Sequence, residues 1–223
     1  MKLCKMLMGG MMILGSFCPV HAQIGEIVNG LTNVALPDLR GGHGYKGYVE
    51  MDYTRGFGNF RSNFGTFATS QGYMFNDWFY MGGGIGVDLL WSKTDKGWTL
   101  PDDGSNGWHS HEFDNTAWMI PIFSDFRFIF GNPSQLSFFL NLRIGAAFLC
   151  SDNYVRIGNG YLTDNSYFYL QPAAGIRIPV STTKPRQAID VGIHYRLMTS
   201  RHWSTWEYNS AINGFGASIS YEW

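Results

Sequence analysis

Charge is scarce in this chain. Asp, Glu, Lys and Arg make up 15% of its residues, against about 25% in average soluble domains. Positive charge is not concentrated anywhere either. Sixteen basic residues meet seventeen acidic ones, and without a basic patch nucleic acid is excluded as a partner. Past the N-terminal leader no stretch reaches eighteen apolar residues, so no membrane-spanning helix is expected. Cysteine is sparse as well: Cys4, Cys18 and Cys150 are the full set. The first two fall in the leader, so Cys150 is expected to be the single cysteine of the mature chain, a small apolar residue at a strand end.

What the chain does hold is aromatic residues, at 17%, and 28 glycines. It opens with Lys2 and Lys5, an apolar stretch from Met6 to Phe17, and Val20-His21-Ala22 as a cleavage site. That pattern predicts a secretory signal peptide over 1–22, with Gln23 first in the mature protein. A lipoprotein signal on Cys18 is disfavoured because Phe17 stands where a small residue is required. Cleavage removes two lysines and no acid, leaving a net charge of about −3. Residues 23–43 form a periplasmic leader. In it Ile24, Ile27, Val28, Leu31 and Val34 keep helical spacing up to Pro37 and predict a short helix.

From residue 44 the period changes to two. Between 211 and 223, Ala211, Phe215, Ala217, Ile219, Tyr221 and Trp223 alternate with small or polar residues, the mark of a strand with one apolar face. Eight such segments are expected: 44–56, 62–75, 77–92, 114–130, 136–150, 166–180, 187–198 and 211–223. Segment 62–75 alternates poorly, and its register is left open by one residue. Each is long enough to cross a bilayer as a tilted strand. Residues 76, 131–135 and 181–186 read as short turns, while 93–113, 151–165 and 199–210 read as long polar loops. The expected fold is all-β, an eight-stranded antiparallel transmembrane up-and-down β-barrel over 44–223, with both termini periplasmic.

The charges sort onto one face. Lys46, Arg127, Arg143, Arg177 and Arg196 join Glu50, Asp52, Asp88, Asp125, Asp190 and Glu222 on the face that carries the glycines. The apolar faces are expected to carry none. A soluble barrel would place apolar residues inside and charges outside, so this distribution predicts lipid outside and a charged, packed lumen. Buried charge must be paired. The set is therefore read as a structural lumen network, with a narrow gated ion path as the functional alternative.

Other chemistry is thinner. His109-Ser110-His111-Glu112 offers imidazole and carboxylate to a metal but no third convincing ligand, so no metal and no cofactor are expected. A lipid A-modifying hydrolase would need a nucleophile, base and acid in reach. His194 or His202 could serve as base, with Ser181, Ser200, Ser204 or Ser210 as nucleophile. No G-x-S-x-G elbow is present, and no catalytic residue is assigned. Gly42-x-Gly44-x-x-Gly47 matches a dinucleotide fingerprint only in letters, since it precedes a strand instead of joining strand to helix. The loop aromatics Trp98, Trp108, Trp203 and Trp206 are candidates for ligand stacking or a membrane girdle.

The chain resembles the small eight-stranded outer-membrane β-barrel proteins of Gram-negative gut anaerobes. The likeness lies in Gly44-Tyr45-Lys46-Gly47-Tyr48-Val49, in Thr69-Ser70-Gln71-Gly72-Tyr73-Met74-Phe75-Asn76, and in Trp78-Phe79-Tyr80-Met81-Gly82-Gly83-Gly84-Ile85-Gly86-Val87. It extends through Ile120-Pro121-Ile122-Phe123-Ser124-Asp125-Phe126-Arg127 to Tyr221-Glu222-Trp223. The resemblance implies outer-membrane location, with Phe215, Tyr221 and Trp223 presenting an assembly signal to the insertion machinery. Outer-membrane lipid and lipopolysaccharide are the expected surroundings. The expected role is membrane organisation or surface interaction through the loops, with no ligand named.

Overall fold

The computed structural model describes residues 44–58, 61–92, 114–132, 135–151, 155–157, 160–162, 164–180, 187–200 and 211–223. The expected signal peptide and leader helix lie outside these residues. Eight long strands make the wall: β1 (Gly44–Phe57), β2 (Asn63–Asn76), β3 (Phe79–Trp91), β4 (Thr116–Phe130), β5 (Ser137–Leu149), β8 (Ser166–Pro179), β9 (Ala188–Thr199) and β10 (Ala211–Glu222). Two short strands, β6 (Val155–Ile157) and β7 (Gly160–Leu162), pair with each other between β5 and β8. The boundaries expected from alternation lie within two residues of these ends. Each long strand is antiparallel to its sequence neighbour in the wall, and β10 returns to β1, giving a closed eight-stranded barrel. Closure runs to the last residue: Trp223 N–H donates to Gly47 O at 3.1 Å, and Gly47 N–H returns to Trp223 O at 3.3 Å. A Cβ on Gly47 would sit 2.5 Å from the Trp223 indole, so a glycine there lets the terminal ring lie against the seam.

The end holding Gly44 and Glu222 has short connections and is called the terminal end below; the other is the loop end. The tightest turn joins β2 to β3. Asn76 Oδ1 accepts from the Trp78 and Phe79 amides at 3.2 and 2.8 Å, an Asx turn that reverses the chain without a longer loop.

Outward side chains are apolar. Ile193 is 71% exposed, Phe138 66% and Phe215 64%, whereas Arg127, Arg143, Arg177 and Arg196 on the inner face are each at most 2% exposed. Aromatics gather at both ends of the outer wall. Phe75, Phe79, Trp78 and Phe128 stack in sequence near the terminal end, and Phe57, Phe215 and Tyr195 cluster near the loop end. Such girdles flank the apolar band of a membrane barrel.

Strand β2 explains its own weak alternation. Its register against β1 and β3 turns Phe64, Ala68 and Met74 inward and Thr69 and Gln71 outward. The outward polar groups are satisfied locally: Tyr45 donates to Gln71 Oε1, Gln71 Nε2 to Thr69 Oγ1 at 3.2 Å, and Thr69 Oγ1 to Tyr48 O at 3.1 Å. Local pairing keeps them compatible with an apolar belt.

Two expectations need correction. The outer face is not free of charge: Arg55 points outward and is exposed, opposite Phe215 on β10 and Asn63 on β2. The tyrosine and phenylalanine on either side, Tyr53 and Phe57, mask it in a reading that counts apolar positions. The connection 151–165 is not simply a polar surface loop, because β6 and β7 fold within it and bury Val155, Ile157 and Leu162.

If the outer wall faces lipid, Ile193→Arg in the middle of β9 should cost about 2–4 kcal/mol. Chemical unfolding of the barrel refolded in lipid vesicles measures this directly, with wild-type protein as reference.

Candidate functional site in the barrel lumen

Alternation along eight strands points every second side chain into a space that those side chains just fill. The polar part of that filling is continuous from the terminal end to mid-barrel. Nearest the terminal end, Glu222 accepts from Arg177 Nε at 2.9 Å and Nη2 at 3.0 Å and pairs with Lys46. Next to it Arg127 pairs with Asp190, and its guanidinium lies 3.9 Å from the centre of the Tyr48 ring. Tyr48 in turn meets Tyr80 edge to face at 4.9 Å, and Tyr80 shares a 2.9 Å hydrogen bond with Ser70.

At mid-height Arg143 grips Glu50 with two parallel bonds, Nη1 to Oε1 at 2.7 Å and Nη2 to Oε2 at 2.8 Å. Its Nε stands 3.8 Å from Asp125, the residue directly opposite on β4. Arg127 Nη2 also reaches Glu50 at 3.6 Å, so this carboxylate joins the two levels. Above them Arg196 bridges Asp88 at 3.2 Å and Asp52 at 3.1 Å, and donates to Thr66 Oγ1 at 2.9 Å. Gln171 donates to Asp52 at 3.4 Å while accepting from Tyr169.

All nine residues assigned from sequence to the lumen network (Glu50, Asp52, Asp88, Asp125, Arg127, Arg143, Arg177, Asp190 and Arg196) are buried here. Bidentate and charge-assisted bonds offset the several kcal/mol that each isolated ion would cost. Satisfaction is incomplete. Both Asp125 oxygens, Asp88 Oδ1, Asp190 Oδ1 and the Nε atoms of Arg127, Arg143 and Arg196 have no hydrogen-bond partner.

Towards the loop end the filling turns apolar. Phe64, Leu90, Met119, Tyr167, Tyr169, Met198 and Ile212 form one buried cluster, and Val155, Ile157 and Leu162 of the β6–β7 hairpin pack into it. The hairpin is held from the side by Arg156 N–H donating to Asp114 O at 2.8 Å. These apolar inward residues were not singled out from sequence. Extending each strand's inward parity to its loop end would have found Leu90, Met119, Met198 and Ile212. The hairpin had no such signal.

His194 is the described candidate base. Its Nε2 lies 2.7 Å from Thr54 Oγ1, and the Asp52 carboxylate stands 3.8 Å from the same nitrogen. Its Nδ1 has no hydrogen-bond partner. A nucleophile–base–acid relay needs the acid on the second nitrogen, and Asp52 is on the first. The ring is 3% exposed residue-wide and lies against Gly216, where a Cβ would meet Nε2 at 2.4 Å. His194 is thus packed as a lumen residue. Of the other hydrolase candidates, Ser200 is half-buried at the end of β9, and Ser181, His202, Ser204 and Ser210 lie outside the described residues. So do His109, His111, Glu112, Trp98, Trp108, Trp203 and Trp206. Among the described residues no group of three or more His, Cys, Asp or Glu side chains could hold a metal. Phe215, Tyr221 and Trp223 all face outward and are exposed.

Two expected outcomes separate the layers. Glu50→Leu strands the guanidinium of Arg143 and should cost about 3–5 kcal/mol in unfolding free energy, whereas replacing Glu50 and Arg143 together by apolar residues should cost much less. Ile157→Ala should cost about 2–5 kcal/mol where it opens a cavity. Hydrogen exchange would show that loss as faster exchange in 155–162 with the wall strands unchanged.

The sequence matches no protein-family model and no curated protein. Solved structures do share the architecture. The crystal structure of Neisserial surface protein A aligns at a TM-score of 0.50 and 14% identity, over 81% of this chain and 97% of that one. The outer membrane enzyme PagL aligns at 0.49 and 12%, over 78% and 97%. The N-terminal β-barrel domain of Pseudomonas aeruginosa OprF aligns at 0.39 and 10%, over 80% and 97%. At these identities the likeness concerns the fold, which is that of the small eight-stranded outer-membrane barrels.

Proposed function

We propose that this chain is an integral outer-membrane barrel, closed to solutes, that acts in membrane organisation or surface interaction through its loop end. The observation carrying this reading is the filling of the lumen, a polar network joined to an apolar plug. A barrel so filled has its wall and its rim left for function. The β6–β7 hairpin is committed to the plug, so 93–113 and 199–210 become the surface loops of choice, with Trp98, Trp108, Trp203 and Trp206 as the side chains to meet a ligand. In this reading the termini face the periplasm, Phe215, Tyr221 and Trp223 engage the insertion machinery, and lipopolysaccharide surrounds the outer rim. The motifs from Gly44 to Val49 and from Trp78 to Val87 support kinship with barrels of Gram-negative gut anaerobes.

A lipid A-modifying hydrolase is the second reading. It draws support from the pairing of His194 with Thr54, and the wrong-sided Asp52 weighs against it.

An epitope inserted within 93–113 should be read by antibody on intact Gram-negative cells, and one within 181–186 only after permeabilisation. The reverse pattern would overturn the orientation, and a soluble chain would overturn the membrane assignment. Purified protein should show no steady conductance in planar bilayers and release no fatty acid from lipid A.

A further inference from the structure

Arg55 is the one charged residue on the outward faces of the wall strands among the described residues. We propose that Arg55, together with Arg61, binds the phosphate of a phosphorylated lipid headgroup at the outer rim of the barrel. The proposal rests on the outer-membrane reading above and adds to it a site and a ligand chemistry.

Position argues first. An arginine on the lipid face costs about 2–4 kcal/mol at the bilayer midplane but about 0–1 near the interface. Arg55 lies two residues before the loop-end terminus of β1, where its long stem lets the guanidinium reach the headgroup level. Arg61 is exposed and precedes Ser62 and Asn63, and Asn63 is the cross-strand partner of Arg55. Arg61 stands two residues before Asn63, outside β2, and extending the odd-outward alternation of β2 to it puts it on the outer face, one diagonal step from Arg55. Diagonal neighbours across a sheet are roughly 7–8 Å apart, so two guanidinium groups can converge on a single phosphate.

Chemistry argues second. The lumen arginines described above are all paired with carboxylates, whereas Arg55 and Arg61 form no ion pair among the described residues. Their charge is left for a partner from outside the chain. The surroundings suit a lipid. Phe57 and Phe215 stack at 5.4 Å, Tyr195 lies 5.2 Å from Phe215, and Tyr195 donates to Asn213 Oδ1 at 2.6 Å. Phe215 stands directly opposite Arg55. An apolar aromatic shelf with a basic edge takes an acyl chain below and a phosphate above. Arginine's planar fork matches phosphate oxygens in pairs.

The test uses the full chain, purified from the outer-membrane fraction in detergent. Variants are accepted after a heat-dependent shift in gel mobility shows an intact barrel. Native mass spectrometry then measures retention of diphosphoryl lipid A, of the same lipid stripped of phosphate, and of inorganic phosphate. Wild type should retain the phosphorylated lipid at least about tenfold better than the stripped one. Arg55→Gln should lose most of that preference, Arg61→Gln part of it, and Arg55→Lys should restore a fraction. Equal retention of the two lipids by wild type would overturn the proposal without any variant. So would an unchanged preference in Arg55→Gln, or displacement of the lipid by inorganic phosphate at equal concentration. Failure to find the protein in the outer membrane would instead strike the reading on which the site rests.

Discussion

Everything in this structure depends on the hydrogen bonds that join β10 to β1. An open sheet edge cannot persist in hydrocarbon, because each unpaired backbone group there costs several kcal/mol. The ladder from Tyr48↔Glu222 to Phe57↔Asn213, with Trp223 and Gly47 exchanging bonds at its end, removes that edge. Once eight strands close, the bore is fixed, and with it the fate of every inward side chain.

The bore is too narrow for an aqueous channel, so polar residues that line it must satisfy one another. Glu50 with Arg143 and Arg127, Asp52 and Asp88 with Arg196, and Glu222 with Lys46 and Arg177 are the result. Breaking one partner costs more than the pair contributes, since the survivor stays buried and charged. The apolar cluster above them is made the opposite way, by non-directional burial. The hairpin supplies to the lumen what the wall strands lack at that height: Val155, Ile157 and Leu162.

Function is harder to read from such a molecule than architecture. A shared fold does not carry an activity with it, because function depends on particular residues placed on a common frame. The inner charges, prominent in the sequence, pair with one another inside the wall. Arg55, unremarked by an apolar count, sits where a barrel meets its surroundings.

The sequence alone determined the wall. A period of two with charges and glycines on one side and an aromatic, apolar series on the other has one physical solution, lipid outside, and it located all eight strands. It also determined which charges share the lumen, because parity along a strand is set by pleating. Tertiary structure decided what parity cannot. Which arginine meets which carboxylate depends on register between strands far apart in sequence, as with Arg196 and Asp88. Strand β2 was settled by its two neighbours, its own inward Phe64 and outward Gln71 having blurred the pattern. Three-residue strands such as β6 and β7 carry too few residues to show a period. They become strands only because the barrel mouth offers an apolar surface to cover.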